Sequence, residues 1–124
     1  MIAADTSTWI AYFQNDKGPD VEILEQALAN HMLLMVPATL AELLSDPHLP
    51  ARHRAGLLSI PMMEPESGFW IRAGDLRARL VAKRRKAKLG DTLIAQFCLD
   101  RRVALITRDS DFDSFAELAG LQLL

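Results

Sequence analysis

The segment Val103-Ala104-Leu105-Ile106-Thr107-Arg108-Asp109 reads as a short buried strand that runs out into a polar turn. Four consecutive apolar residues, two of them β-branched, suit a strand covered on both faces, and such strands belong to parallel sheets with helices on either side. A second run of this kind, Ile2-Ala3-Ala4, opens the chain and ends in the same manner, at Asp5-Thr6-Ser7. Upstream of Val103, Gly90-Asp91 starts a helix through Ile94, Ala95, Cys98 and Leu99, and Arg101-Arg102 leads out of it. Downstream, a helix from about Asp111 to Ala119 stops at Gly120, and Leu121 to Leu124 is expected as a last short strand.

The same alternation continues through the rest of the chain. Asp5-Thr6-Ser7 caps a helix through Trp9, Ile10 and Phe13, and Asp20 caps a second one carrying Val21, Leu24, Ala27 and Leu28. Met32 to Val36 is expected as a strand, followed by a helix from Pro37 with Leu40, Leu43 and Leu44 inward. A short helix over Ala51 to Leu58 and a short strand over Ser59 to Met63 fill the Pro-punctuated middle. From Glu66 to about Lys88, apolar positions at Trp70, Ala73, Leu76, Leu80 and Val81 recur at helical period. Strands separated by helices require crossovers, so the fold class is α/β with a central parallel sheet.

Composition narrows the function. The 124 residues make one domain, able to bury roughly two-thirds of the unfolded surface. No apolar run approaches the roughly 20 residues of a bilayer span, and the N-terminus lacks the pattern of a secretory signal, so a cytoplasmic location is expected. Cys98 is the only cysteine, which excludes an internal disulfide and multi-thiolate zinc sites. It reads as a buried structural thiol rather than a nucleophile, and His31, His48 and His53 lack the pairing of metal ligands. Trp9, Phe69, Trp70, Met62 and Met63 read as core, with a groove for a partner as the alternative. The net charge of −2 conceals a segregation. Between Arg72 and Lys88 eight cations face the single acid Asp75, a local charge of +7 that leaves −9 for the remainder. An acidic site with a basic approach surface would show this pattern, and so would a solvated helix face.

In a parallel α/β sheet the ligand crevice lies beyond the carboxyl ends of the strands, where neighbouring crossovers leave in opposite directions. Asp5 and Asp109 each follow a strand, Glu42 lies in the helix after the second strand, and Asp91 begins the helix before the Val103 strand. Four carboxylates brought together would repel, and a hard cation such as Mg²⁺ or Mn²⁺ compensates them through oxygen ligands. Each acid also has a local explanation. Asp5 suits a helix cap, Thr39-Leu40-Ala41-Glu42 matches the capping box, and Asp91, Asp109, Asp111 and Asp113 stand where helix starts favour negative charge.

Taken in order, Ala4-Asp5-Thr6-Ser7, Pro37-Ala38-Thr39-Leu40-Ala41-Glu42-Leu43, Gly90-Asp91-Thr92-Leu93-Ile94-Ala95 and Leu105-Ile106-Thr107-Arg108-Asp109-Ser110-Asp111-Phe112 resemble the PIN-domain pattern. More narrowly, the chain resembles the VapC toxins of bacterial toxin–antitoxin pairs over nearly its full length. The resemblance implies a three-layer α/β/α fold and a Mg²⁺- or Mn²⁺-dependent endoribonuclease that leaves a 3′-hydroxyl and a 5′-phosphate. It also implies a homodimer inhibited by a small antitoxin protein. Carried over residue by residue, Asp5, Glu42, Asp91 and Asp109 take the four acidic positions, and Asp111 matches an additional acid. Thr6, Ser7 and Thr107 would hold carboxylates or waters, although each is an equally good cap. Lys83, Arg84, Arg85, Lys86 and Lys88 would hold the RNA backbone, in a segment more basic than the minimal pattern. Two other readings are a non-catalytic RNA- or protein-binding module of the same fold and a Mg²⁺-dependent phosphoryl-accepting signalling domain. The latter expects an acidic pair at the first strand, whereas Asp5 is followed by Thr6.

Overall fold

The structure, a computed structural model, describes residues 1–124. Two regular strands, β1 (Ile2–Ala4) and β2 (Ala104–Ile106), pair in parallel with Ile2 opposite Ala104, Ala3 opposite Leu105 and Ala4 opposite Ile106. Three further segments extend this pair through single parallel bridges, Leu33 to Ile2, Met35 to Met62, and Leu123 to Leu105. The segments expected as strands over 32–36, 59–63 and 121–124 are therefore present, but each is reduced to one or two bridges. Their backbone bonds are parallel-sheet bonds all the same, with Leu34 N–H donating to the Ile2 carbonyl and Leu124 N–H to that of Leu105. Across the sheet the order is the Met62 segment, the Leu33–Met35 segment, β1, β2 and the Leu123 segment. The first crossover leaves β1 toward one side and β2 sits on its other side, so the direction of winding reverses between β1 and β2.

Seven helices surround the sheet: α1 (Thr6–Phe13), α2 (Pro19–Ala29), α3 (Pro37–Leu44), α4 (Ala51–Leu58), α5 (Phe69–Ala82), α6 (Leu89–Arg101) and α7 (Asp113–Ala119). Alternation along the two strands assigns the layers. Ala3 and Leu105 face a core built with Phe69, Leu76 and Leu80 of α5, Ile94 and Phe97 of α6, and Phe115 of α7. Ala4 and Ile106 face the opposite core, with Trp9 of α1, Leu24 of α2, Leu40 and Leu43 of α3, and Leu57 of α4. This is the three-layer α/β/α arrangement. Trp9, Phe69 and Met63 lie in the core as expected, whereas Trp70 and Met62 are exposed.

Four local expectations are corrected. The basic helix ends at Ala82, well before Lys88, because the chain reverses at Lys83 and at Arg84, whose φ is +57°. Residues 83–88 are thus a connection between α5 and α6. The capping box does not form: Val36 is the N-cap of α3, Thr39 is buried inside the helix with its Oγ1 unpartnered, and Glu42 turns elsewhere. Asp20 is not the cap of α2, since Gly18 holds that position and Asp20 lies in the first turn. The last helix begins at Asp113 after a 3-10 turn over Ser110–Phe112.

Leu105 is fully buried at the middle of β2. Leu105→Ala should lower stability by about 2–5 kcal/mol, read as a fall in the urea midpoint at unchanged slope. Ile71→Ala, at a position 72% exposed, should change it by less than about 0.5 kcal/mol.

Candidate active site

The reversal of winding places a crevice beyond the carboxyl ends of β1 and β2. Asp5 leaves β1 there, with its N–H donating to the Ile106 carbonyl at 3.0 Å, and it is buried. Its carboxylate accepts from the Thr8 N–H (3.1 Å), capping α1, from Ser7 Oγ (2.8 and 3.0 Å) and from Thr107 Oγ1 (2.8 Å). Thr107 Oγ1 in turn accepts from the Asp109 N–H at 2.9 Å. The cap expected of Asp5 and a role in the crevice are therefore the same set of bonds, and Ser7 and Thr107 each hold this carboxylate. Thr6 does not: its hydroxyl donates to Glu42 Oε1 at 3.1 Å.

Asp91, in the first turn of α6, meets Asp109 and Asp111 from the turn after β2, and one carboxylate oxygen from each lies within 4.8 Å of the others. Asp109 also caps its own turn by accepting from the Asp111 N–H at 2.9 Å, which sets the spacing of the last two. Of the acids singled out in the sequence, these three form the tight group. Asp5 stands beside it with its oxygens taken up by hydroxyls and an amide. Glu42 borders it across Gly90, where an added Cβ would lie 3.9 Å from Glu42 Oε1. Lys86 Nζ sits 3.0 Å from Asp111 Oδ2, a tethered cation at the mouth of the group. A trio of carboxylates with no sulfur or imidazole is the donor set of a hard divalent ion, so these residues fit Mg²⁺ or Mn²⁺.

The PIN domain profile matches residues 2–118. The chain belongs to the PIN-domain family. No curated protein sequence matches it significantly. Among solved structures, this PIN domain is similar to VapBC2 from Rickettsia felis bound to a DNA fragment from their promoter (TM-score 0.74, 23% identity, covering 100% of this chain and 98% of that one). It is equally similar to DNA-bound VapBC from Salmonella typhimurium (0.75, 23%, 100% and 98%). VapBC-1 from nontypeable Haemophilus influenzae follows (0.72, 22%, 100% and 97%). At these identities the likeness is one of fold.

Electrostatics mark the same corner of the PIN domain. Burial pushes the Asp91 carboxyl up to about 6, and the charges of Asp109, Glu42 and Asp111 add to the rise against the pull of Lys88. Asp5 is also raised, because burial outweighs its hydrogen bonds to Ser7, Thr107 and Thr8, with Asp109 adding repulsion. Lys86 is held charged by its bond to Asp111. Of the other expected RNA-backbone cations, Arg85 is committed to Ser114 and Glu117, while Lys83, Arg84 and Lys88 are exposed and make no ion pair.

Sequence reasoning missed one group. Arg108 pairs with Asp20 through Nε to Oδ2 (2.8 Å) and Nη2 to Oδ1 (2.9 Å), and Thr8 Oγ1 donates to the same carboxylate at 3.0 Å. Arg108 holds the Asp20 carboxyl below the ordinary carboxylate range. The Thr107-Arg108-Asp109 motif contained one partner, but its mate lies 88 positions away and gives no local signal. His53 stacks on Phe13 at 4.2 Å, and Cys98 is buried as expected, which pushes its thiol up to about 12. A groove of about 620 Å³ between α1, α2 and α4 includes none of Asp5, Glu42, Asp91, Asp109 and Asp111. No helix is long and apolar enough to cross a membrane.

A carboxyl whose folded value is raised binds its proton more tightly in the native state, so its contribution to stability declines as pH climbs from about 4 through about 6. In EDTA at pH 7.5, Asp91→Asn should therefore melt about 3–6 °C above the native protein. That is the shift of roughly 1 kcal/mol in such a domain, after allowing for solvent screening of a half-buried group. The gap should close near pH 4, as followed by thermal melts across the range.

Proposed function

We propose that this PIN domain is a divalent-metal-dependent endoribonuclease, the toxin of a VapBC-type toxin–antitoxin pair. The observation that carries the reading is the grouping of Asp91, Asp109 and Asp111 within 4.8 Å at the point where the sheet reverses its winding. Asp91 comes from a different segment from the other two, so local capping alone does not account for their meeting. The PIN family match, which takes in all of these acids, favours this chemistry over a phosphoryl-accepting signalling domain. Intact acids also weigh against a purely binding module.

Asp91, Asp109 and Asp111 would hold Mg²⁺ or Mn²⁺, with Asp5 and Glu42 adding negative charge at its border. When bound, such an ion acidifies a water and offsets charge on the phosphate that is cut. The remaining work falls to the chain. Ser7 and Thr107 donate to Asp5 and keep its carboxylate oriented, Thr6 does the same for Glu42, and Asp5 and Thr107 together align the turn that carries Asp109. Lys83, Arg84 and Lys88 are exposed on the α5–α6 connection, which leads into the helix that carries Asp91, and they would neutralise RNA phosphates approaching a negative site. Cleavage would leave a 3′-hydroxyl and a 5′-phosphate. The likeness to VapBC complexes supports an antitoxin as partner, and exposed Trp70, Ile71 and Met62 supply apolar surface for a protein partner or a second copy.

Purified protein should cut labelled RNA with Mg²⁺ or Mn²⁺ and not with EDTA. Asp91→Asn and Asp109→Asn should each lower the rate by about 10²-fold or more with unchanged circular dichroism. Wild-type rates in both folded variants would overturn the assignment. Independently, Mg²⁺ at about 100 times its dissociation constant should stabilise the fold by about 2.7 kcal/mol, seen as a rise of several degrees in Tm that Asp91→Asn lacks. A melting curve indifferent to saturating metal would contradict a preformed site.

A further inference from the structure

Arg108 stands between the two residues that matter most in the turn after β2. Thr107 before it holds Asp5, and Asp109 after it belongs to the acidic group. Its own side chain goes the other way, into a fork on Asp20, a carboxylate only 8% exposed in the first turn of α2. Both oxygens of Asp20 are used, and Thr8 of α1 completes the set. The Arg108 N–H reaches Ser7 Oγ at 3.4 Å, and Ser7 is the residue that donates to both oxygens of Asp5. The backbone is shaped to admit this pair. At Gly18, with φ at 154°, a Cβ would come within 2.8 Å of Asp20 Oδ1 and 3.1 Å of Arg108 Nη2.

We propose that Asp20 and Arg108 are positioning residues for metal binding: the buried Asp20 carboxylate clamps Arg108 and thereby fixes Thr107 and Asp109 against Asp5 and Asp91. The inference rests on the nuclease reading above. Arg108 sits at the bend that follows β2, flanked in the chain by Thr107 and Asp109, so tying residue 108 to α2 limits how the backbone between those two can turn. A two-pronged guanidinium–carboxylate bond fixes direction as well as distance, which a lysine at the same place does not. A pair that only stapled α2 to the sheet would be indifferent to how Asp109 is aimed.

Metal affinity separates the two roles. Mn²⁺ binding to the full chain is measured by titration calorimetry and by the loss of the free-ion electron paramagnetic resonance signal, together with Tm and the kcat and KM for a labelled RNA. Asp20→Asn removes the charge but keeps the shape, Arg108→Lys keeps the charge but loses the fork, and Gly18→Ala crowds the pair while leaving both partners in place. Folded variants should bind Mn²⁺ about 10–100-fold more weakly, the range typical of residues that orient ligands. The loss should appear in kcat more than in KM, and Arg108→Lys should fall between native and Arg108→Ala. Should Asp20→Asn not fold, Arg108→Lys and Gly18→Ala retain both charges and carry the test. Binding within twofold of the native protein in the folded variants, whatever their Tm, would overturn the proposal. A native protein that binds no Mn²⁺ would instead remove the nuclease reading, and this inference with it.

Discussion

Everything in this molecule depends on the parallel pairing of β1 with β2, which joins the first residues of the chain to residues a hundred positions later. The register is what brings Asp5 and Thr107 into contact. A slip by one residue would turn Leu105 toward the wrong helical layer and send Thr107 away from the Asp5 carboxylate, so packing and site geometry select the same alignment. Small residues at Ala3 and Ala4 let both layers close over β1, and the larger Leu105 and Ile106 fill the space from β2. The winding reversal then leaves a crevice at the only place where two buried strands end side by side in polar residues.

The sequence disclosed the parts of this arrangement that are local. Apolar runs located β1 and β2, helical spacing located the buried faces of α2 and α6 and part of that of α5, where Trp70 and Val81 are instead exposed, and the acids after the strands located the crevice. What it did not disclose depends on distant partners. Residues 83–88 contain neither Gly nor Pro, so nothing in their residue types announced the reversal at Lys83 and Arg84. Four cations in a row would crowd a helix with like charge, and Arg77 and Arg85 instead reach the Ala87 carbonyl and Ser114 in the connected structure. The capping-box match at Thr39 to Glu42 failed for a related reason. Pro37 had already begun the helix two residues earlier, which buried Thr39 and released Glu42 to meet Thr6.

Within the site the acids divide by environment rather than by motif. Asp5 is the most buried and the most fully bonded, so it acts as a hub for hydroxyls and amides. Asp91, Asp109 and Asp111 keep oxygens free to face one another, and their mutual repulsion is relieved in part by the Lys86 ammonium. Asp111, which the resemblance marked only as an additional acid, is closer to the centre of this group than Glu42. Capping and clustering are not rival explanations here, because Asp109 performs both with different oxygens or lone pairs of one carboxylate.

The thinness of the sheet beyond its central pair has its own outcome. Its outermost members touch their neighbours through Met62 on one flank and Leu123 on the other, each by a single bridge. Neither flank presents a long rail of idle amide and carbonyl groups, so strand addition from a stray or partly unfolded chain finds little to grip. Short flanks of this kind disfavour amyloid-like strand addition and leave side chains as the better surface for self-association.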